Sequence, residues 1–220
     1  MTPGTRALAE SALSAWGVAL DAAQWALLDN YVADVLEYGR KVNLTAAADE
    51  TEIVRRHLLD ALAPLPDLRS RLGPAPRLAD VGAGAGFLGI GLKIAWPEAE
   101  VTLIESSYRK FRFLSLAGAK TGLRGLHVLH ERAGSQCGFD CVLARAVAPL
   151  AALVGLALPL GRRLTVWQSS PPDPKGAALE RALQTAGGSF EAAFSYRLPG
   201  EDRDRWIVHL RRRTENLEAE

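Results

Sequence analysis

The sequence predicts an α/β fold: a seven-stranded, Rossmann-like sheet preceded by an N-terminal helical extension. Three observations lead there. From residue 77 onward, short apolar runs alternate with helical patterns, which implies a parallel sheet with helices on both faces. Residues 80–89, Asp-Val-Gly-Ala-Gly-Ala-Gly-Phe-Leu-Gly, place a glycine-rich loop between the first strand and its helix. The last two strands are separated only by the turn Pro199-Gly200, so they pair as an antiparallel hairpin.

Taken in order, a first helix is expected over 6–16, stopped by Gly17. Behind an Asp21-x-x-Gln24 capping box, Leu27, Leu28, Tyr31, Val32, Val35 and Leu36 recur at helical spacing. Asp49-x-x-Glu52 opens a third helix that runs to about residue 63, where Pro64 and Pro66 end it, and 67–76 reads as a linker. Strands follow at 77–81, 101–105, 126–130, 139–144, 163–168, 190–197 and 206–210. Helices alternate with them at 89–96, 108–120, 149–158 and 176–186. The chain thus divides into a helical extension, 1–66, and a sheet domain, 77–213.

Composition limits the function classes. At 220 residues, 48% hydrophobic and 23% charged, the chain suits one α/β domain with an extension. The longest apolar run, 146–160, contains Pro149 and Pro159 and falls short of the roughly 20 residues of a membrane span, so it reads as a buried helix. The first residues lack the charged-then-apolar order of a signal peptide, and the cytoplasm is the expected location. Cys137 and Cys141 are two thiols where a structural zinc needs four ligands, so no metal is expected. A net charge of +1 does not announce a nucleic-acid binder. The basic group Arg109, Lys110 and Arg112 reads as a solvated face, and a monomer is expected.

The glycine loop carries the first functional signal. Glycines let the backbone turn tightly and approach a ligand, while the helix start offers free N–H donors. Glu105, at the end of the next strand, suits a ribose diol. Gly84-x-Gly86-x-x-Gly89 also satisfies a dinucleotide pattern, which keeps a nicotinamide-dependent oxidoreductase open. Asp80 near the end of the strand and Phe87 within the loop weigh against it. A parallel sheet closed by a hairpin is typical of S-adenosylmethionine-dependent methyltransferases, so S-adenosylmethionine is the expected cofactor, approached by Gly82, Gly84 and Gly86 and held by Glu105.

The acceptor is narrowed by what is missing. After the fourth strand the chain reads Leu143-Ala144-Arg145-Ala146-Val147-Ala148-Pro149, with no Asn/Asp-Pro-Pro-aromatic motif to orient an exocyclic amine. Cys141 falls inside a strand and not on a loop where a nucleophile for pyrimidine carbon would sit. Few lysines lie near the strand ends to serve a ribose hydroxyl. A ring nitrogen with a free lone pair, such as guanine N7, needs only alignment and exclusion of water. Arg145, at the carboxyl end of the fourth strand, is expected to line the catalytic mouth.

Five segments then resemble the glucose-inhibited division protein B family, small-subunit ribosomal RNA guanine-N7 methyltransferases. They are Asn43-Leu44-Thr45, Arg56-His57-Leu58-Leu59-Asp60, the loop 82–89, Arg109-Lys110-x-x-Phe113-Leu114 and Arg145-Ala146-Val147-Ala148-Pro149-Leu150. The resemblance implies a cofactor site that includes Gly82, Phe87, Ala133, Gly134 and Arg145, and a guanine of 16S rRNA in the small ribosomal subunit as acceptor. The chain departs from the family pattern at Leu88 and Gly91, where prolines are common, and at Ala61, Gly134 and Trp206. Gln168-Ser169 stands where Lys-Gly is frequent, which keeps open a ribosome-binding relative with weakened catalysis. His57 and Asp60, spaced i, i+3, read either as a helix-packing pair or as groups beside the cofactor or acceptor. Asn43 has the same two readings. Prolines at 88 and 91 are expected to be tolerated in the first turn of the helix after the glycine loop.

Overall fold

The computed structural model describes residues 1–42, 44–47 and 49–213; Asn43 lies outside them. The first helix, α1, spans Pro3–Ala15 and starts earlier than the pattern suggested. Thr2 caps it by accepting from the Thr5 N–H, and Pro3 occupies a first-turn position that needs no donor. Helix α2, Ala22–Val42, carries the anticipated capping box: Gln24 N–H donates to Asp21 Oδ1 and Asp21 N–H to Gln24 Oε1, both at 2.8 Å.

The third helical segment is less regular than its periodicity implied. Helix α3, Glu50–Ile53, passes into a π turn, Val54–Leu58, and then into α4, Leu59–Leu62. The expected linker is another helix, α5, Leu65–Leu72. The helix does end at Leu62, just before Pro64, as expected, but the two prolines also open α5. They sit at the cap and first turn of the next one, where a missing N–H costs nothing, and Gly73 at φ +78° ends it.

The sheet order is β3-β2-β1-β4-β5-β7-β6. Strands β1 (Arg77–Val81), β2 (Glu100–Glu105), β3 (Leu126–His130), β4 (Phe139–Arg145) and β5 (Gly161–Gln168) run parallel, so their carboxyl ends share one edge. Strand β7, Arg205–Arg212, inserts antiparallel between β5 and β6, Gly188–Tyr196. A dinucleotide fold would instead add a sixth parallel strand beside the fifth. The connecting helices are α6 (Phe87–Ala95), α7 (Tyr108–Thr121), α8 (Leu150–Ala157) and α9 (Ala177–Thr185).

One sheet face packs against the N-terminal helices and α6, burying Leu28, Leu58, Leu62, Ile90, Leu103 and Trp167 in one cluster. The other packs Val142, Leu153, Leu164, Leu183 and Val208 beneath α8 and α9. The N-terminal helices therefore share their core with the sheet. Buried Tyr31 donates its hydroxyl to the Ala85 carbonyl at 2.7 Å, bracing the glycine loop from outside.

Helix α6 begins at Phe87, two residues before the expected start, which changes the meaning of Gly91. Gly91 is the fifth helical residue and its N–H belongs to the helical ladder. A Cβ there would lie 3.2 Å from Leu58 Cδ1, so glycine lets α6 approach the π turn closely. The sequence-based tolerance for proline at 91 is overturned. Gly91→Pro should lower the melting temperature by removing a ladder bond and crowding Leu58, and an unchanged melt would contradict this packing.

Candidate active site at the carboxyl edge of the sheet

The glycine loop leaves β1 and turns into α6 with Gly82, Gly84 and Gly86 all at positive φ. At Gly86, φ +86°, a Cβ would also meet Leu114 Cδ2 at 2.7 Å and Ile90 Cδ1 at 2.8 Å, so conformation and packing both require glycine. Space opens beside Gly84, where the nearest atom to an added Cβ is the Gly82 carbonyl at 3.8 Å. Val147 lies against Gly82.

Two carboxylates fix this loop. Asp80, fully buried, accepts from the Gly89 N–H at 2.9 Å and so pins the first turn of α6 to β1. Burial pushes its carboxyl up to about 6, against the opposing pull of that N–H and of Arg145. Glu105 accepts from Gly84 N–H at 2.9 Å through one oxygen and from Ser107 N–H at 2.7 Å through the other. It ties the loop to the end of β2, and each oxygen retains a lone pair for a further donor such as a diol.

A second constellation centres on Asp60, 1% exposed. One oxygen accepts from Arg145 Nη1 at 2.6 Å; the other accepts from Arg205 Nη1 at 3.1 Å and from the Tyr196 hydroxyl. Its backbone carbonyl accepts from the Trp167 indole N–H at 2.8 Å. Burial and the neighbouring Asp60 charge push the Tyr196 phenol far up, so it stays a donor. Arg145 also donates to the His57 carbonyl at 3.1 Å, and this guanidinium links His57 to Asp60.

The His57 ring stacks on Phe87, centroids 4.5 Å apart and planes 10° from parallel, and its Nε2 lies 2.9 Å from Thr45 Oγ1. Phe87 is therefore buried between His57 and the edge of Tyr31. Burial, with Arg145 close by, lowers the His57 pKa to about 4. Folded His57 thus binds fewer protons than the unfolded chain between about 6.5 and 4. The stability it contributes is full above that window and lost as pH falls through it. Buried His209 on β7, also lowered by burial, acts in the same direction, whereas Asp80, raised to about 6, contributes stability at low pH that is lost as pH rises through 6. Melting curves between neutral and acid pH should show a smaller acid loss in His57→Gln than in the wild type; identical acid profiles would remove this ring from the account.

Between these groups lies a cleft of about 440 Å³ lined by Arg56, His57, Arg145, Gln168, Ser169 and Arg205 among others. Its cations are paired: Arg56 with Glu52 at 2.7 Å, Arg145 with Asp60, and Arg205 with Asp60 and Glu201. Ala146, on its rim, is the sole non-glycine residue at positive φ among those described, at +55°, a strained conformation beside the end of β4. Ala133 and Gly134 lie in the loop after β3, at the same edge, with Gly134 exposed.

The structure thus gathers His57, Asp60 and Arg145 into one network and sets Gly82, Gly84, Gly86 and Glu105 in another, with Phe87 joining the two. Sequence reasoning missed Tyr31, Tyr196, Trp167 and Arg205, whose partners are 54 to 145 residues away along the chain. In the sequence Asp80 argues only against a dinucleotide fold, although an acid nine residues before a helical N–H is a usable signal for the contact it makes.

Over most of its length the chain is similar to known proteins. A family model described as rRNA small subunit methyltransferase G matches residues 24–169. A Chloroflexus aggregans protein named Ribosomal RNA small subunit methyltransferase G is 37% identical over 212 residues, 92% of this chain and 88% of its own. Proteins of the same name from Streptococcus agalactiae and Streptococcus pyogenes are 32% and 34% identical, each alignment covering 91% of this chain and 89% of theirs. Among solved structures, magnesium protoporphyrin IX methyltransferase from Synechocystis with bound SAM gives a TM-score of 0.61 at 17% identity, covering 89% of this chain and 99% of that one. That similarity establishes the fold of an S-adenosylmethionine-dependent methyltransferase and nothing finer. The family match and the full-length relatives establish more: the chain belongs to the rRNA small subunit methyltransferase G family.

Proposed function

We propose that the chain transfers the methyl group of S-adenosylmethionine to guanine N7 in 16S rRNA of the small ribosomal subunit. One observation supports this acceptor above others: among the described residues, the cleft offers no strong general base. Asp60 is committed to three donors, Glu52 pairs with Arg56, and burial lowers the His57 pKa to about 4, which makes its ring a weak base. Guanine N7 presents its own lone pair, so catalysis reduces to alignment and exclusion of water.

The residues present fit the cofactor: open space beside Gly84, and a buried Glu105 with lone pairs to spare for a ribose diol. Gly82, Gly84 and Gly86 permit close backbone approach, and Ala133 and Gly134 flank the same edge. The cofactor supplies an electrophilic methyl on a sulfonium cation. Arg145, held by Asp60, aligns the acceptor at the mouth of the site. Because its charge is compensated by that carboxylate, it repels neither the sulfonium nor the cationic product base. The extension, 1–66, and the methyltransferase domain, 77–213, act together, since Tyr31 braces the glycine loop. We place the activity in the cytoplasm, carried out by a monomer; no helix among the described residues is long and apolar enough to cross a membrane.

Purified small subunits from a strain lacking this gene, incubated with the chain and methyl-labelled S-adenosylmethionine, should yield labelled 7-methylguanosine. Label in another nucleoside would overturn the acceptor. Cofactor binding without any transfer would favour the weakened ribosome-binding relative.

A further inference from the structure

Outside the site just described, three rings gather at the same edge of the sheet. Tyr108 opens α7 and is 59% exposed. Its ring centroid lies 5.5 Å from that of His130 at the end of β3, and Phe111 stacks on His130 at 5.0 Å and 26°. His130 Nε2 lies 3.1 Å from the Ser106 carbonyl, which fixes the ring between the two elements. One cation approaches these rings and others flank them along the chain. Arg112 approaches Tyr108 to 6.0 Å from the ring centroid, Arg109 is exposed beside it, and Arg132 is exposed two residues beyond His130. None of Arg109, Lys110, Arg112 and Arg132 forms an ion pair among the described residues. The neighbouring carboxylate, Glu131, accepts from Ser135. On a chain whose net charge is +1, three arginines and one lysine against the single carboxylate of Glu131 make a local excess of positive charge beside the exposed Tyr108 and His130.

We infer that Tyr108, Phe111 and His130, with Arg109 and Arg112, form a stacking platform for an unpaired base of the substrate RNA next to the target guanine. The inference rests on the RNA-methylating function proposed above. A single exposed tyrosine is ordinary, but rings prearranged by their own contacts offer a base a rigid face at low entropic cost. Guanidinium and ammonium groups around them suit the phosphates on either side. The position also fits. Tyr108 follows Glu105 by three residues, so a base seated here enters from the edge at which the reaction takes place. Stacking carries no sequence code, and the platform would grip the strand while the cleft selects the guanine.

The test uses the full chain, fluorescence anisotropy with a labelled single-stranded RNA spanning the target, and calorimetry with S-adenosylmethionine. Loss of one stacked base is worth ~1–3 kcal/mol, so Tyr108→Ala should weaken RNA binding about 5- to 150-fold. Tyr108→Leu should be similarly weak, whereas Tyr108→Phe and Tyr108→Trp should keep affinity near wild type. Arg109→Ala and Arg112→Ala should each lower the salt slope of RNA binding by about 0.7. Cofactor affinity should be unmoved in every variant. Wild-type RNA affinity in Tyr108→Leu overturns the platform, as does cofactor affinity that falls in step with RNA affinity, which would assign the ring to the cofactor's adenine. A wild-type chain that methylates subunits while all these variants match it sinks the platform alone. A wild-type chain that neither binds nor methylates RNA sinks the functional reading with it.

Discussion

Asp60→Ala is expected to cost about 3–5 kcal/mol of folding stability, the usual penalty for removing one partner of a buried charge pair. The carboxylate is 1% exposed and accepts from Arg145, Arg205 and Tyr196 together. Without it the Tyr196 phenol loses its acceptor, Arg145 keeps only the His57 carbonyl and Arg205 only Glu201, and each lost partner adds its own desolvation cost. Asp60→Asn should fall between, because an amide oxygen still accepts although the compensating charge is gone. Urea denaturation of both variants measures this, and a loss below about 1 kcal/mol for the alanine variant would reduce the network to surface-strength pairing.

Arg145→Ala should reduce kcat/KM for methyl transfer to small subunits about 100-fold, the order expected when a group that positions the reactants is removed. From sequence alone this residue looks dispensable for stability. The structure revises that expectation, since the Arg145 side chain is 18% exposed and bridges the Asp60 carboxylate to the His57 carbonyl. A fall in melting temperature should therefore accompany the kinetic loss. It should be smaller than that of Asp60→Ala, because Arg205 and Tyr196 still satisfy the carboxylate. Arg145→Lys keeps charge but not the planar fork, and should recover stability more fully than turnover. Turnover at the wild-type rate in Arg145→Ala, with unchanged S-adenosylmethionine affinity, would remove this residue from the catalytic mouth.

Elements governed by neighbours in sequence were legible in advance. β1 and β3 fall where alternation and turn residues placed them, and the Asp21–Gln24 box forms as its spacing dictates. Pro64 and Pro66 marked the end of one helix but hid the start of the next, because proline disfavours a helix interior yet favours a first turn. Likewise, Gly89 looked like the start of α6, whereas Asp80 reaches from β1 to hold its N–H inside a helix already under way. In the site, residues within a motif were found and their long-range partners were not. His57, Asp60 and Arg145 stand out by pattern, but nothing local to Tyr196 or Arg205 announces that they converge on Asp60.

The π turn at Val54–Leu58 has a consequence for how this chain tolerates changes in length. A π turn holds one residue more than an α turn over the same stretch, so the segment carries a surplus residue in its helical phase. Deleting any one residue of that turn would let an unbroken α-helix form. Because the surplus is absorbed within that turn, the flanks would keep their helical phase and draw together by at most about 1.5 Å, one residue's rise. Asp60 and the cap at Asp49 would both keep their faces. Single-codon deletions across residues 54–58 should therefore be milder than deletions inside the regular helix α2, where losing one residue turns everything beyond it by about 100°.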